Sequence, residues 1–317
     1  MANAADGELI EQTLEVLLAA SEVSAVELMT GGASRDTWRA VADGTAVVVQ
    51  RQQVEAQRDM TVEAALLRAA EQVGVPAPRL LACGDGPDGV LCLVTEFVAG
   101  ETIARRILRD ERFEVARSRL TAQVGRAMAR VHRIDASSTS GLAPIDELGL
   151  YRGQLDESGE PHPAFELGLR WLERHRPATD TESTRVVHGD FRLGNLIVDD
   201  GGLAAVIDWE LAHLGHPLED LGWACVPAWR FGSSLPAAGV GSREELLAAY
   251  NDEAGTEFSV DELRWWEVYG ILRWGVMCLT QARRHLSGTT RSHELAAIGR
   301  RVCENEHDLL LTLEGHW

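Results

Sequence analysis

One stretch constrains this chain more than any other: VVHGDFRLGNLIVDDGGLAAVIDWE, residues 186–210. It holds two short apolar runs, 196–198 and 203–207, parted by Asp-Asp-Gly-Gly, and that pattern predicts a β-hairpin. Asn195 stands just before the first strand and Asp208 just after the second, so both fall at the open end of the hairpin, side by side. Paired strands lie about 5 Å apart. At that spacing an amide oxygen and a carboxylate can share one hard cation. Asp190 precedes Asn195 on the loop leading into the hairpin and can face the same space without binding the cation.

Phosphoryl transfer requires this division of labour. Metal ions neutralise the phosphates while one carboxylate orients the attacking hydroxyl and accepts its proton. Singly, each residue reads as an ordinary turn or cap residue. Together they point to Asp190 as catalytic base and to Asn195 and Asp208 as Mg²⁺ ligands, with Glu210 a candidate further contact. His188 reads as a brace for the loop. The spacing His188-x-Asp190-x-x-x-x-Asn195 matches the catalytic loop of kinases, so ATP is the expected phosphate donor.

The chain contains no lysine, and all 30 of its basic residues are arginine. That excludes a Schiff-base lysine and a GK[ST] phosphate loop. Phosphate must be gripped by arginine, backbone N–H groups or metal. A net charge of −19 repels nucleic acid and anionic lipid. No apolar run reaches the ~18 residues of a membrane span, and the acidic N-terminus lacks the layout of a signal peptide. Cys83, Cys92, Cys225, Cys278 and Cys303 show no CxxC spacing and read as reduced thiols of a cytoplasmic protein.

Hydrophobic residues make up 45% of 317, enough for one large domain or two lobes. Helical spacing covers 8–20, 59–74, 113–135 and 164–175, and most of 243–315. Strands are expected at 29–41, 45–51, 79–84 and 90–98, with a turn at Asp43-Gly44. The Ser-, Gly- and Pro-rich stretch 136–163 and residues 232–242 read as loops. The division falls near 98–102, giving a small N-lobe, 1–97, and a larger, mainly helical C-lobe, 98–317.

HGDFRLGN (188–195) and VIDWE (206–210) are similar to the two signature motifs of the aminoglycoside phosphotransferase and choline kinase family. IDWELAHLGHPLEDLGW (207–223) most resembles its branch of acyl-CoA-dehydrogenase-associated phosphotransferases. The resemblance runs from about 25 to 315 and implies an α+β, two-lobed, protein-kinase-like fold with a small antiparallel-sheet N-lobe. It also implies that GGASRDTWRA (31–40) covers the nucleotide, with Gly32 and Ser34 near the phosphates. The family's β3 lysine falls at the end of AVVVQR (46–51). Arg51 is the best substitute there, and a one-residue shift would put Gln50 in its place. Glu63 matches the acid that pairs with this cation. In LVTEFVAGET (93–102) the Glu96 carbonyl and Val98 N–H would meet adenine. Asp220 would steady the catalytic loop, and His213 and His216 read as structural.

The expected partner is a small-molecule hydroxyl acceptor, with oligomeric state left open. Arg192, Trp229, Arg230, Trp266 and Arg273 are the candidate acceptor residues. The aromatic helix 264–285 is either a helix–helix core or a pocket wall, in which Arg273 would suit carboxylate or phosphate. Glu267 is its only acid, which speaks against a polycationic antibiotic. The branch resemblance also points away from antibiotics and implies an endogenous hydroxylated metabolite, such as an acyl or hydroxy-acid derivative. The alternatives are an aminoglycoside-type antibiotic kinase and a nucleotide-binding pseudokinase.

Overall fold

The first hundred residues alternate short apolar strands with two amphipathic helices, and the sheet they make has both faces covered. In the computed structural model, which describes residues 4–31, 35–52, 59–177 and 184–316, α1 (Ala4–Leu18) is followed by β1 (Val23–Gly31), β2 (Arg35–Ala42) and β3 (Thr45–Gln52). Next come α2 (Met60–Gln72), β4 (Leu80–Asp85) and β5 (Leu91–Glu96). The strands form one antiparallel sheet in the order β1-β2-β3-β5-β4. The single strand expected over 29–41 is two: the chain reverses within it, pairing Gly31 with Asp36, and β1 runs back to Val23. The β2–β3 turn lies at Asp43-Gly44 as predicted, with φ of 46° and 78°, the two left-handed residues of a tight hairpin.

The two sheet faces have different fates. On one, Ile10 and Leu14 of α1 pack with Trp38, Ala40, Val47, Val49 and Val94 in a separate apolar cluster. On the other, Met60, Ala64 and Leu67 of α2 join Leu93 in the cluster that fills the large lobe. Asp59 caps α2, its carboxylate accepting the Thr61 N–H at 2.8 Å.

The crossing to the second lobe is pinned down. Glu101 and Val198 exchange two backbone hydrogen bonds of 2.9 and 3.0 Å. A Cβ on Gly100 would stand 2.5 Å from Ile197 Cγ2, so only glycine lets the crossing lie against the hairpin. Then follow α3 (Ala104–Arg109), α4 (Glu114–Val131), α5 (Glu147–Ser158) and α6 (Pro163–Arg174). The short strands are β6 (Arg185–Val187), β7 (Leu196–Asp199), β8 (Gly202–Val206) and β9 (His213–Gly215). Last come α7 (Leu218–Cys225), α8 (Arg243–Ala254), α9 (Val260–Leu286), α10 (His293–Gly299) and α11 (Arg301–Leu313). α4 buries Leu120, Val124, Ala127 and Val131, the face its spacing predicts. α5 lies inside the stretch read as loop: Asp146 caps it, Gly159 ends it left-handed, and Leu148, Tyr151 and Leu155 are buried. The architecture is the expected two-lobed α+β fold. Among the described residues no helix is long and apolar enough to cross a membrane.

Candidate active site

The site begins where β6 ends. β6 pairs with β9, Val187 opposite His213, and this fixes the His188-Gly189-Asp190 loop beside the chain that leaves the hairpin. Asp220, at the start of α7, is fully buried and holds the loop from beneath. Its carboxylate accepts the backbone N–H groups of His188 and Gly189, both at 2.8 Å, and the His132 ring nitrogen at 3.0 Å. Burial alone would raise this carboxyl, but His132 and the loop donors outweigh it and hold the group ionised. His188 Nδ1 accepts the Asp190 N–H at 3.3 Å and Nε2 donates to the Ile207 carbonyl at 3.1 Å. Burial keeps this imidazole neutral, matching that tautomer. The loop is therefore tied to the hairpin it precedes.

Asp190 is nine-tenths buried and held from three sides. Its Oδ1 accepts the Trp223 indole N–H at 2.7 Å, its Oδ2 accepts Asn195 Nδ2 at 2.6 Å, and Arg192 Nε lies 3.1 Å from both oxygens. Asn195 spends its amide nitrogen on Asp190, so its oxygen is the atom a cation would use. The hairpin is formed as predicted, Leu196 opposite Val206. Its ladder continues outward, the Ile207 N–H donating to the Asn195 carbonyl at 3.0 Å. Asp208 follows at once, with left-handed φ of 68°. Burial, then the neighbouring Glu210, push its carboxyl up to about 7. A half-buried carboxylate at the open end of the hairpin, on the strand end paired with Asn195, fits a hard divalent cation completed by water and phosphate.

Above the hairpin lies a cavity of about 230 Å³. Its floor is Ile197, Ile207, Asp208 and Trp209, and its roof includes Val48, Gln50, Leu93 and Thr95. Glu96, Phe97 and Val98 form its edge, and Glu63 closes its inner end. Gln50 thus faces the cleft. Arg51 is turned to the opposite face, with Val47 and Val49, and pairs with Asp88 at 2.7 Å. Glu63 is buried and does have a cation, but from another strand. Arg35 of β2 meets it with two hydrogen bonds of 2.7 and 2.8 Å and reaches Glu210 at 3.0 Å. Arg35 was not singled out in the sequence; its only signal is that it lies within the nucleotide-covering segment 31–40. Gly32 and Ser34 lie outside the described residues.

On the acceptor side the candidates separate. Arg192 lies over the Trp229 ring at 5.0 Å, beside Asp190. Trp229 packs on Trp223 and Trp274 at 5.3 and 4.7 Å. The other three sit in the protein's framework. Arg273 is 4% exposed and donates to Glu219 at 2.8 Å and to the Gly189 carbonyl at 2.7 Å, bracing the loop from α9. Arg230 and Arg243 both bond Glu267, which is fully buried. Trp266 stacks on His216 with ring centres 5.0 Å apart. His213 bonds Glu219 at 3.0 Å.

A family model described as the phosphotransferase enzyme family matches residues 25–266. Acyl-CoA dehydrogenase family member 11 of Gallus gallus is 28% identical over 282 residues, 80% of this chain and 35% of that protein. The Homo sapiens protein of the same name is 29% identical over 61% of this chain and 26% of its own length. The chain thus spans about a third or less of these two relatives. Among solved structures, a choline/ethanolamine kinase family protein from Mesorhizobium loti superposes with a TM-score of 0.69 at 19% identity, covering 97% of this chain and 95% of that one. Spectinomycin phosphotransferase, solved with ADP and spectinomycin, gives 0.68 at 12% identity and 98% of both chains. With its two lobes and a family-model match over most of its length, the chain belongs to the phosphotransferase enzyme family.

Proposed function

We propose that this phosphotransferase is an ATP- and Mg²⁺-dependent kinase of a small hydroxylated molecule. The observation that carries the reading is the placement of Asp190: a buried carboxylate held by Asn195, Trp223 and Arg192 at the mouth of the hairpin that ends in Asp208. In this reading the cavity under β3 and β5 takes the adenine, with Glu96 and Val98 offering backbone groups at its edge. Residues 1–97 cover the nucleotide; 98–317 carry the loop, the metal ligands and the acceptor pocket. Asn195 and Asp208 hold Mg²⁺, with Glu210 near enough to join them. The metal supplies neutralisation of the phosphate charge. Asp190 aligns the acceptor hydroxyl and takes its proton.

For the acceptor, an endogenous metabolite with an acyl or hydroxy-acid character is favoured over an aminoglycoside. The support is a cation, Arg192, beside the base, where a polycationic antibiotic calls for carboxylates. The acyl-CoA dehydrogenase relatives lean the same way.

The test has two parts. Titrating ATP calorimetrically with and without Mg²⁺ should give metal-dependent binding that Asp208→Ala abolishes; unaltered binding in that variant would sink the ligand assignment. Across a panel of hydroxylated metabolites, Asp190→Ala should lower phosphate transfer by ~10²–10⁴-fold. Equal turnover by both proteins would remove Asp190 as base.

A further inference from the structure

Kinase clefts use a cation under the N-lobe sheet to pair with phosphate, held by an acid on the next helix. A chain without lysine must meet that need differently. The strand register decides how. On β3 the cleft-facing residue is Gln50, which is neutral, while Arg51 points to the far face and is tied to Asp88. Yet Glu63 is 4% exposed and has not lost its counter-charge. A buried carboxylate without a cation is costly, and here the cation arrives from β2. Thr37 pairs directly with Gln50. Arg35, two residues before Thr37, shares its face of the sheet and extends along it. Its guanidinium forks onto both oxygens of Glu63, with Gln50 Oε1 3.4 Å away.

We infer that Arg35 on β2 is the phosphate-gripping cation of this enzyme, with Gln50 its support, so that the charge has moved one strand across the sheet. The inference rests on the kinase reading above. Arg35 now spans two acids of unequal hold: Glu63, 5% exposed at its side chain, and Glu210, 36% exposed. The bond to Glu210 is the weaker one, being open to solvent. Exchanging it for a phosphate oxygen leaves Arg35 anchored on Glu63. The same exchange releases Glu210, two residues beyond Asp208, from Arg35.

The test is Mg·ATP binding by calorimetry, with acceptor-dependent turnover beside it, for Arg35→Ala, Gln50→Lys, the double variant of these, and Arg51→Ala. Arg35→Ala should weaken Mg·ATP binding by at least ~10-fold. A lysine introduced at position 50 of that variant enters the same cleft beside Glu63 and should restore most of the loss. Should Arg35→Ala unfold because Glu63 is left unpaired, Arg35→Ala with Glu63→Gln removes both charges and should still bind nucleotide weakly. Wild-type affinity in folded Arg35→Ala, or in Arg35→Ala with Glu63→Gln, overturns the assignment, and so does a loss confined to Arg51→Ala. A wild-type protein that takes up no nucleotide would instead overturn the kinase reading itself.

Discussion

At the scale of single residues, Asp190, the proposed base, is held by more partners than any other carboxylate of the hairpin's mouth. Trp223 Nε1 donates to Asp190 at 2.7 Å, 33 positions along the chain. Trp223→Phe keeps an aromatic ring there and removes that donor. We expect kcat to fall by about tenfold, the worth of one charge-assisted hydrogen bond, with the KM for ATP little changed. A proportional loss of ATP affinity would mean that the indole shapes the nucleotide site instead. The residue scale is also where the sequence misleads. Asp190, Asn195 and Asp208 are legible because one hairpin brings them together, and a hairpin is local. Arg51 against Gln50 is not legible, because both faces of β3 are covered by apolar packing. Alternation then says that the two residues point opposite ways, not which of them meets the cleft. Arg35 escapes notice for a related reason: its partner Glu63 is 28 residues away and pairs across a strand.

Among elements, the approach of α7 to α9 decides how firmly the loop is held. A Cβ on Gly222 would lie 2.6 Å from the Trp266 backbone carbon, so the helices touch main chain to main chain. Gly222→Ala should therefore cost ~1–3 kcal/mol in urea unfolding. It should also reduce activity, since α7 carries both Asp220 and Trp223. Gly153 in α5 is the control: nothing lies within 4 Å of its added Cβ. Gly153→Ala should stabilise by about 0.5–1 kcal/mol, and destabilisation by both alanines alike would show that tight packing at Gly222 is not the cause. α5 itself marks the limit of element reading. Its Leu148, Tyr151 and Leu155 have helical spacing, yet flanking Ser, Gly and Pro residues dominate the stretch. Its order comes from packing on α9. The split strand at 29–41 is the same lesson in the sheet, where pairing, not local composition, sets the ends.

For the molecule as a whole, stability against acid should reflect one half-buried ring. His216 stacks on Trp266, and its Nδ1 accepts the Leu218 N–H at 3.2 Å, which requires the unprotonated form. Burial, with His132 and Arg185 nearby, pulls it down to about 4 against the opposing pull of Glu262 and Glu219. The unfolded chain takes the proton near pH 6.5 and the folded chain only near 4, so its contribution is intact above 6.5 and lost as pH falls to 4. The loss is on the order of 3 kcal/mol. Asp208, pushed up to about 7, works in the opposite direction. The reading is thus the difference between wild type and His216→Phe in chemical unfolding across that range. Parallel curves for the two proteins would remove His216 as the source. The large lobe's core also reaches up to α2 and Leu93, while the α1 side of the sheet is packed separately. The two-lobed fold was readable from the order of strands and helices. This sharing of one core was not, because it depends on which face of the small sheet turns inward.

The guanidinium seated against Glu63 has a consequence for how such an enzyme is found. Nucleotide probes that survey kinases by acylating a cleft amine need an ε-amino group to attack, and this chain has none. A guanidinium, protonated at any physiological pH, gives such reagents no nucleophile. This chain would therefore be silent to them even with its cleft full of nucleotide, whereas dicarbonyl reagents, which condense with arginine, have a target in Arg35 where it meets Glu63.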